Sequence, residues 1–304
     1  MLESPWGPMP VADAHVHFFS RRFVDLLIAQ KPGLTVETVE RTLGWRVAPD
    51  QPETLAQQWV EELDRHRVDR AVLIASTPCD YSSVTTAVAA RPGRFWAYTF
   101  VNPKADDAVT RLQGALDTGR LHGVCLFPAM HGYTVQDDSV TALLDVISAT
   151  RPATAVFVHC GVLTVGFRHK LGLPSAFDMR LSNPVELQSV AMWYPQIRFV
   201  VPHFGAGYLR EALMLADLCP NVYLDTSSSN RWMAYEGLDL RQVYRRVLEV
   251  VGPKRLLFGT DSSYFPRGWV AEVFREQAKA VYELGVSEEA ARLIFGANLV
   301  QLLG

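Results

Sequence analysis

Eight short runs rich in β-branched and apolar residues recur along this chain, at 11–18, 70–76, 95–101, 123–128, 155–160, 198–203, 222–226 and 255–260. Alternation of such runs with helical segments is the pattern of repeated βαβ units. Ala155-Val156-Phe157-Val158 is continuously apolar, as parallel strands covered on both faces are. Between the runs, apolar residues fall at helical spacing: Leu55, Trp59 and Leu63; Val140, Leu144 and Ile147; Leu209, Leu213 and Ala216; Val243, Val247 and Val250. Each set lays one apolar stripe on a sheet. Eight strands with such crossovers predict an α/β protein of the closed (β/α)8, or TIM-barrel, type. An open doubly wound sheet has about six strands and a Gly-rich first turn, whereas here the first run leads into Phe18-Phe19-Ser20.

A barrel of this type needs about 250 residues, so one domain over residues 1–304 is expected, with 287–303 as closing helices begun by Glu288 and Glu289. Three connections are longer than a crossover needs, at 21–52, 162–183 and 227–239. Each follows a strand and so lies on the C-terminal face, where extended βα loops form a substrate lid. The formal net charge is -3 and the basic residues are scattered, which argues against nucleic acid or an anionic membrane and for a small-molecule partner. No apolar stretch approaches the roughly 18 residues of a membrane span, and the first residues have neither a basic nor an apolar leader segment. A cytoplasmic protein is expected. Cys79, Cys125, Cys160 and Cys219 are far apart without a C-x-x-C pair, and read as free thiols.

Chemistry gathers at the ends of the runs. In Asp13-Ala14-His15-Val16-His17, residues two apart on a strand point the same way, so His15 and His17 can share one ion. His159 follows the apolar stretch Ala155-Val156-Phe157-Val158 of the fifth run, His203 ends the sixth and Asp261 follows the eighth. All then converge on one face of the barrel, where four imidazoles and a carboxylate would otherwise each need an unrelated partner.

With these residues the chain resembles the amidohydrolase superfamily, in particular the amidohydrolase-related branch typified by aminocarboxymuconate-semialdehyde decarboxylase. The resemblance rests on Asp13-x-His15-x-His17, Val158-His159-Cys160-Gly161, Val201-Pro202-His203-Phe204-Gly205, Pro220-Asn221-Val222-Tyr223-Leu224-Asp225, Leu257-Phe258-Gly259-Thr260-Asp261 and Phe295-Gly296-Ala297-Asn298. It implies that His15, His17, His159 and Asp261 hold a divalent metal ion and that His203 is an acid/base or polarising group beside it. A set of imidazoles with one carboxylate suits zinc, with manganese as the alternative. Dinuclear relatives carry a bridging lysine on the fourth strand; residues 123–128 contain none, so one ion is expected. Relatives are often dimers, and a homodimer is implied in the same way.

An ion in such a site acidifies water from a pKa of 15.7 to about 7. In the resulting hydrolase reading Asp261 accepts the water proton, while His203 steadies the oxyanion or protonates the leaving group. The alternative is non-oxidative decarboxylation, with His203 or Asp261 protonating carbon. A metal-free lactonase or a non-catalytic binding barrel fits less well, because all the ligand types are retained. Arg168, His169, Lys170 and Arg180 follow the fifth run, Arg267 follows the eighth, and Arg46 stands beside Trp45. Arg168, Arg180, Arg267 and Arg46 are candidate grips for a substrate carboxylate, with Trp232, Tyr235 and Tyr264 as an aromatic wall. Asp13 is expected on the same side as the two histidines, orienting one of them. Cys160 is expected to face away from the barrel interior, His66 to be solvated, and His131 to lie within reach of the pocket without belonging to the core site.

Overall fold

The computed structural model describes residues 1–78, 80–227 and 230–304; Cys79 lies outside them. Eight parallel strands stand in sequence order: β1 (Ala12–Phe18), β2 (Arg70–Ala75), β3 (Phe95–Phe100), β4 (Leu121–Leu126), β5 (Ala155–Val158), β6 (Phe199–Val201), β7 (Val222–Asp225) and β8 (Leu256–Leu257). The ring closes where the chain after β8 meets β1: Ala14 donates to the carbonyl of Phe258, Asp261 to that of His15 and His17 to that of Ser262. This is the (β/α)8 barrel expected from the alternation of runs. The last strand is much shorter than the run that announced it. Beyond Leu257 the backbone turns its hydrogen bonds to β1 and to the closing helices.

Period-two alternation sorts the strand residues into two cores. Trp96, Tyr98 and Phe100 of β3 point inward with Val72, Ile74, Phe157 and Val200, while Phe95 and Ala97 join the layer between strands and helices. Leu55, Trp59 and Leu63 bury the stripe of helix Pro52–Arg65, and the stripes of Asp138–Thr150 and Leu209–Leu218 behave alike. In helix Leu240–Val250 the buried stripe is Val243, Tyr244 and Val247; Val250 is exposed in its last turn. Leu299 and Leu302 of the closing helix Asn298–Leu303 plug the barrel floor against Ala12 and Ala14. Asn298 fixes that plug by donating to the carbonyls of Pro253 and Leu256. Cys160 packs in the outer layer, turned away from the interior as expected.

One irregularity positions the site. The β1–β2 register shifts between Asp13 and Val16. Ala12 and Ala14 face the barrel interior, yet beyond the shift it is Val16 and Phe18 that face the helices. A β-bulge exchanges the two faces of a strand. The exchange turns His15 and His17 into the barrel mouth and places Asp13 on the opposite side from them. Among the described residues no helix is long and apolar enough to cross a membrane.

Candidate metal centre

His15 Nε2 lies 3.4 Å from His17 Nε2 and 3.7 Å from Asp261 Oδ1, and His17 Nε2 is 3.1 Å from the same oxygen. Donors about 2.0–2.2 Å from a tetrahedral ion stand roughly 3.3 Å apart, so these three atoms have the spacing of one face of such a site. The opposite ring nitrogens are committed elsewhere. His15 Nδ1 donates to Asp225 Oδ2 at 2.7 Å, which fixes the tautomer with the Nε2 lone pair toward His17 and Asp261. Ser76 Oγ donates to the carbonyl of Ile74, so at 2.7 Å from His17 Nδ1 it accepts the second imidazole's proton.

His159 and His203 complete the floor of the same cavity. His159 stacks on Phe127 at 5.2 Å, and its Nδ1 is buried without a hydrogen-bond partner among the described residues. It does not join the close group of His15, His17 and Asp261, whose ligand atoms all lie within 4.8 Å of one another. An orphaned buried imidazole nitrogen needs a partner, and a cation at the facing group is one that suits a neutral ring. His203 Nδ1 is 3.2 Å from the carbonyl of Ser227, which can only accept, so this ring presents Nε2 to the cavity. Ser227 Oγ lies 2.9 Å from both His15 Nδ1 and His203 Nδ1 and ties the two rings together.

The electrostatics favour the ligating form at every one of these groups except His15. Burial, with the neighbouring His203 and His15, pushes His159 well below the ordinary histidine value. Burial also lowers His17 and His203. Burial opposes charge on His15 as well, but the Asp225 carboxylate outweighs it and raises the ring. For Asp261, burial favours the acid, and the close His17 ring with the neighbouring His15 and His203 overcomes it, so the carboxylate is held below its usual range. Neutral imidazoles and an ionised carboxylate are what a divalent ion binds.

The backbone is unusual at two of these residues. His203 and Asp261 have φ of 54° and 58°, in the left-handed region that costs non-glycine residues energy. Asp261 is held there by its N–H bond to the His15 carbonyl at 3.0 Å. The His203 turn is held by close packing: a Cβ on Gly161 would sit 2.2 Å from the carbonyl oxygen of Gly205, so only glycine lets the loop after β5 touch it. Gly259 has a similar role, since a Cβ there would meet Asp225 Oδ1 at 2.8 Å and the His15 side chain at 2.9 Å.

Asp13 touches neither imidazole. Its oxygens accept from the backbone of His15 and Thr260, the Thr260 hydroxyl and the Trp269 indole, stitching β1 to the segment after β8. The imidazole orienters are instead Asp225, Ser227 and Ser76. Asp225 and Ser76 end the seventh strand and the second run, and an acid closing a buried run is the signal that marks Asp225.

Of the candidate substrate residues, Arg168, Arg267 and Tyr264 line the cavity. Arg180 is 89% exposed and paired with Asp178, and the Arg46 guanidinium lies 5.5 Å over the Phe265 ring; neither lines it. Trp232 is buried under its loop and Tyr235 is 70% exposed. The first two long connections wall the cavity with Phe23, Trp45 and Phe167, whereas the described residues of the third, 227 and 230–239, contribute no wall, only the Ser227 bridge beneath it. His131 does line it, with Nδ1 buried and unbonded among the described residues, and burial lowers it to about 4. His66 is half-buried, 3.3 Å from Glu62 and against Trp269, because the helix end it caps folds under the segment after β8.

Residues 12–304 match the family model described as Amidohydrolase. Protein fluG of Emericella nidulans is 33% identical over 142 residues, which are 46% of this chain and 15% of that protein, so the chain spans a small part of that relative's length. Among solved structures, an uncharacterised TIM-barrel protein from Bordetella bronchiseptica superposes with a TM-score of 0.65 at 18% identity, covering 97% of this chain and 98% of that one. An amidohydrolase from Burkholderia multivorans with bound zinc gives 0.62 at 14% identity over 97% and 99%. A protein described as a probable 2-pyrone-4,6-dicarboxylic acid hydrolase from Acinetobacter baumannii, with citric acid bound, gives 0.61 at 15% identity over 97% and 100%. At these identities the structural likeness speaks for the barrel alone, and it is the family match, running over nearly the whole barrel and every histidine of its mouth, by which this chain belongs to the amidohydrolase family.

Proposed function

We propose that this chain is a metal-dependent hydrolase of a small carboxylate-bearing substrate, cleaving a C–N or C–O bond next to a carbonyl. The observation that carries the reading is the convergence of His15 Nε2, His17 Nε2 and Asp261 Oδ1, the two imidazoles each turned inward by a partner on the far ring nitrogen. His15, His17, Asp261 and the orphaned His159 would hold one divalent ion, zinc by donor chemistry or manganese in its place. When bound, the ion polarises a carbonyl and makes water acidic enough to attack near neutral pH.

The chain's own groups carry the protons. Asp261, ionised and partly exposed to the cavity, accepts a proton from the attacking water as its oxygen bonds to the carbonyl carbon. His203, a neutral ring that presents the Nε2 lone pair to the same space, takes over the proton gathered by Asp261 and delivers it to the leaving nitrogen or oxygen as its bond to that carbon breaks. Arg168 and Arg267 at the cavity wall supply the grip for a carboxylate. The description of one structural neighbour as a dicarboxylic acid hydrolase accords with this reading. Metal analysis of purified protein, with product analysis on carboxylated amides and lactones, tests it. One ion per chain and hydrolysis products are expected; active protein without metal, or release of carbon dioxide in place of hydrolysis, overturns it.

A further inference from the structure

The cavity, of about 710 Å³, has two unlike ends. That volume lies in the upper part of the roughly 300–1,000 Å³ range of sites that enclose ligands of drug size. Its floor is the histidine–aspartate group, where Asp261 forms ion pairs only with imidazoles among the described residues. Its outer wall is a succession of ring faces. Phe19 lies 5.6 Å from His17, stacks on Trp45 at 5.2 Å and 28°, and Trp45 stacks on Tyr264 at 4.9 Å and 22°. The Arg267 guanidinium sits 5.9 Å over Tyr264, at the far end of that succession from His17. Phe167 meets Trp45 edge-on from the opposite loop.

Three of these rings, Phe19, Phe167 and Tyr264, are only half-buried although they pack on a hydrophobic cluster. An apolar face left open inside a cavity marks where an apolar ligand part is covered. Arg168 and Arg267, also on this wall, take part in no salt bridge among the described residues, whereas Arg180 outside it is paired with Asp178.

We infer that the site takes an elongated substrate in three parts: a carbonyl at the histidine floor, a planar aryl body against Phe19, Trp45, Phe167 and Tyr264, and a carboxylate at the outer end held by Arg168 and Arg267. The inference rests on the hydrolase reading for its floor and on the sleeve for the remainder. It separates the carboxylate from the reacting centre, so the acid group is a handle and not the group removed.

Calorimetric binding of 4-acetamidobenzoate, its methyl ester and the ring-free succinamate to metal-free and zinc-loaded protein tests this, with hydrolysis of each probe followed by chromatography. The aryl acid is expected to bind at least about tenfold more tightly than either comparison probe, with or without zinc. Trp45→Leu removes the preference for the ring, and the half-buried Tyr264→Leu does so should the first variant fail to fold. The double variant Arg168→Gln/Arg267→Gln removes the preference for acid over ester. Equal affinity for aryl acid and succinamate, or a ring preference unchanged in Tyr264→Leu, overturns the inference. Hydrolysis of succinamate without any ring preference sinks the sleeve and leaves the hydrolase standing. Ring and acid preferences without hydrolysis of any probe by the zinc-loaded protein do the reverse.

Discussion

The two ends of the cavity are built on different principles. At the floor every group but His159 is held from behind by a partner on a strand or at its end: His15 by Asp225, His17 by Ser76, His203 by Ser227, and Asp261 by the His15 carbonyl. At the outer sleeve the rings hold one another. Phe19, Phe23, Trp45, Phe167 and Tyr264 belong to a hydrophobic cluster distinct from both barrel cores, carried by the connections after β1, β5 and β8 and their short helices. Hydrogen bonds fix direction to tenths of an ångström, as reaction geometry requires. Ring stacking is adaptable and suits a surface that chooses among ligands. On the proposed reading, reactivity in this barrel is set by strand ends, and selectivity by the first, fifth and eighth connections.

The largest expected effect breaks the floor. His15→Ala should abolish both metal binding and turnover, while His203→Ala keeps the metal and lowers kcat by about 10²–10⁴. Elemental analysis beside initial rates decides, and equal metal loss in both variants would make His203 a ligand. Next comes the support behind the floor. Asp225→Asn should cost about 10–100-fold in metal affinity or activity, measured by chelator competition; an unchanged value would mean that the His15 tautomer is set without this carboxylate.

Asp13→Asn tests the stitch below. Its amide nitrogen cannot accept from the Thr260 or Trp269 donors, and each buried donor left without an acceptor costs about 1–3 kcal/mol. A lowered Tm with metal affinity retained is expected, and loss of metal at unchanged Tm would give Asp13 a role in the site. The sleeve is the softer end. Native-state hydrogen exchange should show residues 21–45 opening at lower free energy than β1 to β4; equal protection would erase the contrast.

The smallest effect is on pH dependence. Burial lowers both His122 and His131 from 6.5 to about 4. As pH falls, the unfolded chain takes up these protons first, so stability present above pH 6.5 is lost between 6.5 and about 4. His122→Gln should flatten the fall in Tm across that window, and an unchanged slope would assign the loss elsewhere.

The barrel was legible because its strands are local: an apolar run of four to seven residues and a helical stripe announce themselves within a short window. Val250 departed from its stripe because helix ends fray toward solvent, and the eighth strand ended early because its partners lie far along the chain. The histidines were legible by their places at the ends of runs. Their orienters were not, since Asp225 and Ser227 lie more than two hundred residues from His15.

What the sequence by itself determined is the set of donors and the order of strands that carries them to one mouth, because both follow from residue type and local periodicity. Only the tertiary structure decided which way those donors turn. The bulge in β1 sends His15 and His17 inward and Asp13 outward, and loop packing puts Arg168 and Arg267 on the cavity wall while Arg180 stays with Asp178 in solvent. A one-residue change of register or a loop's fold is settled by contacts between distant segments, and these no stretch of sequence contains.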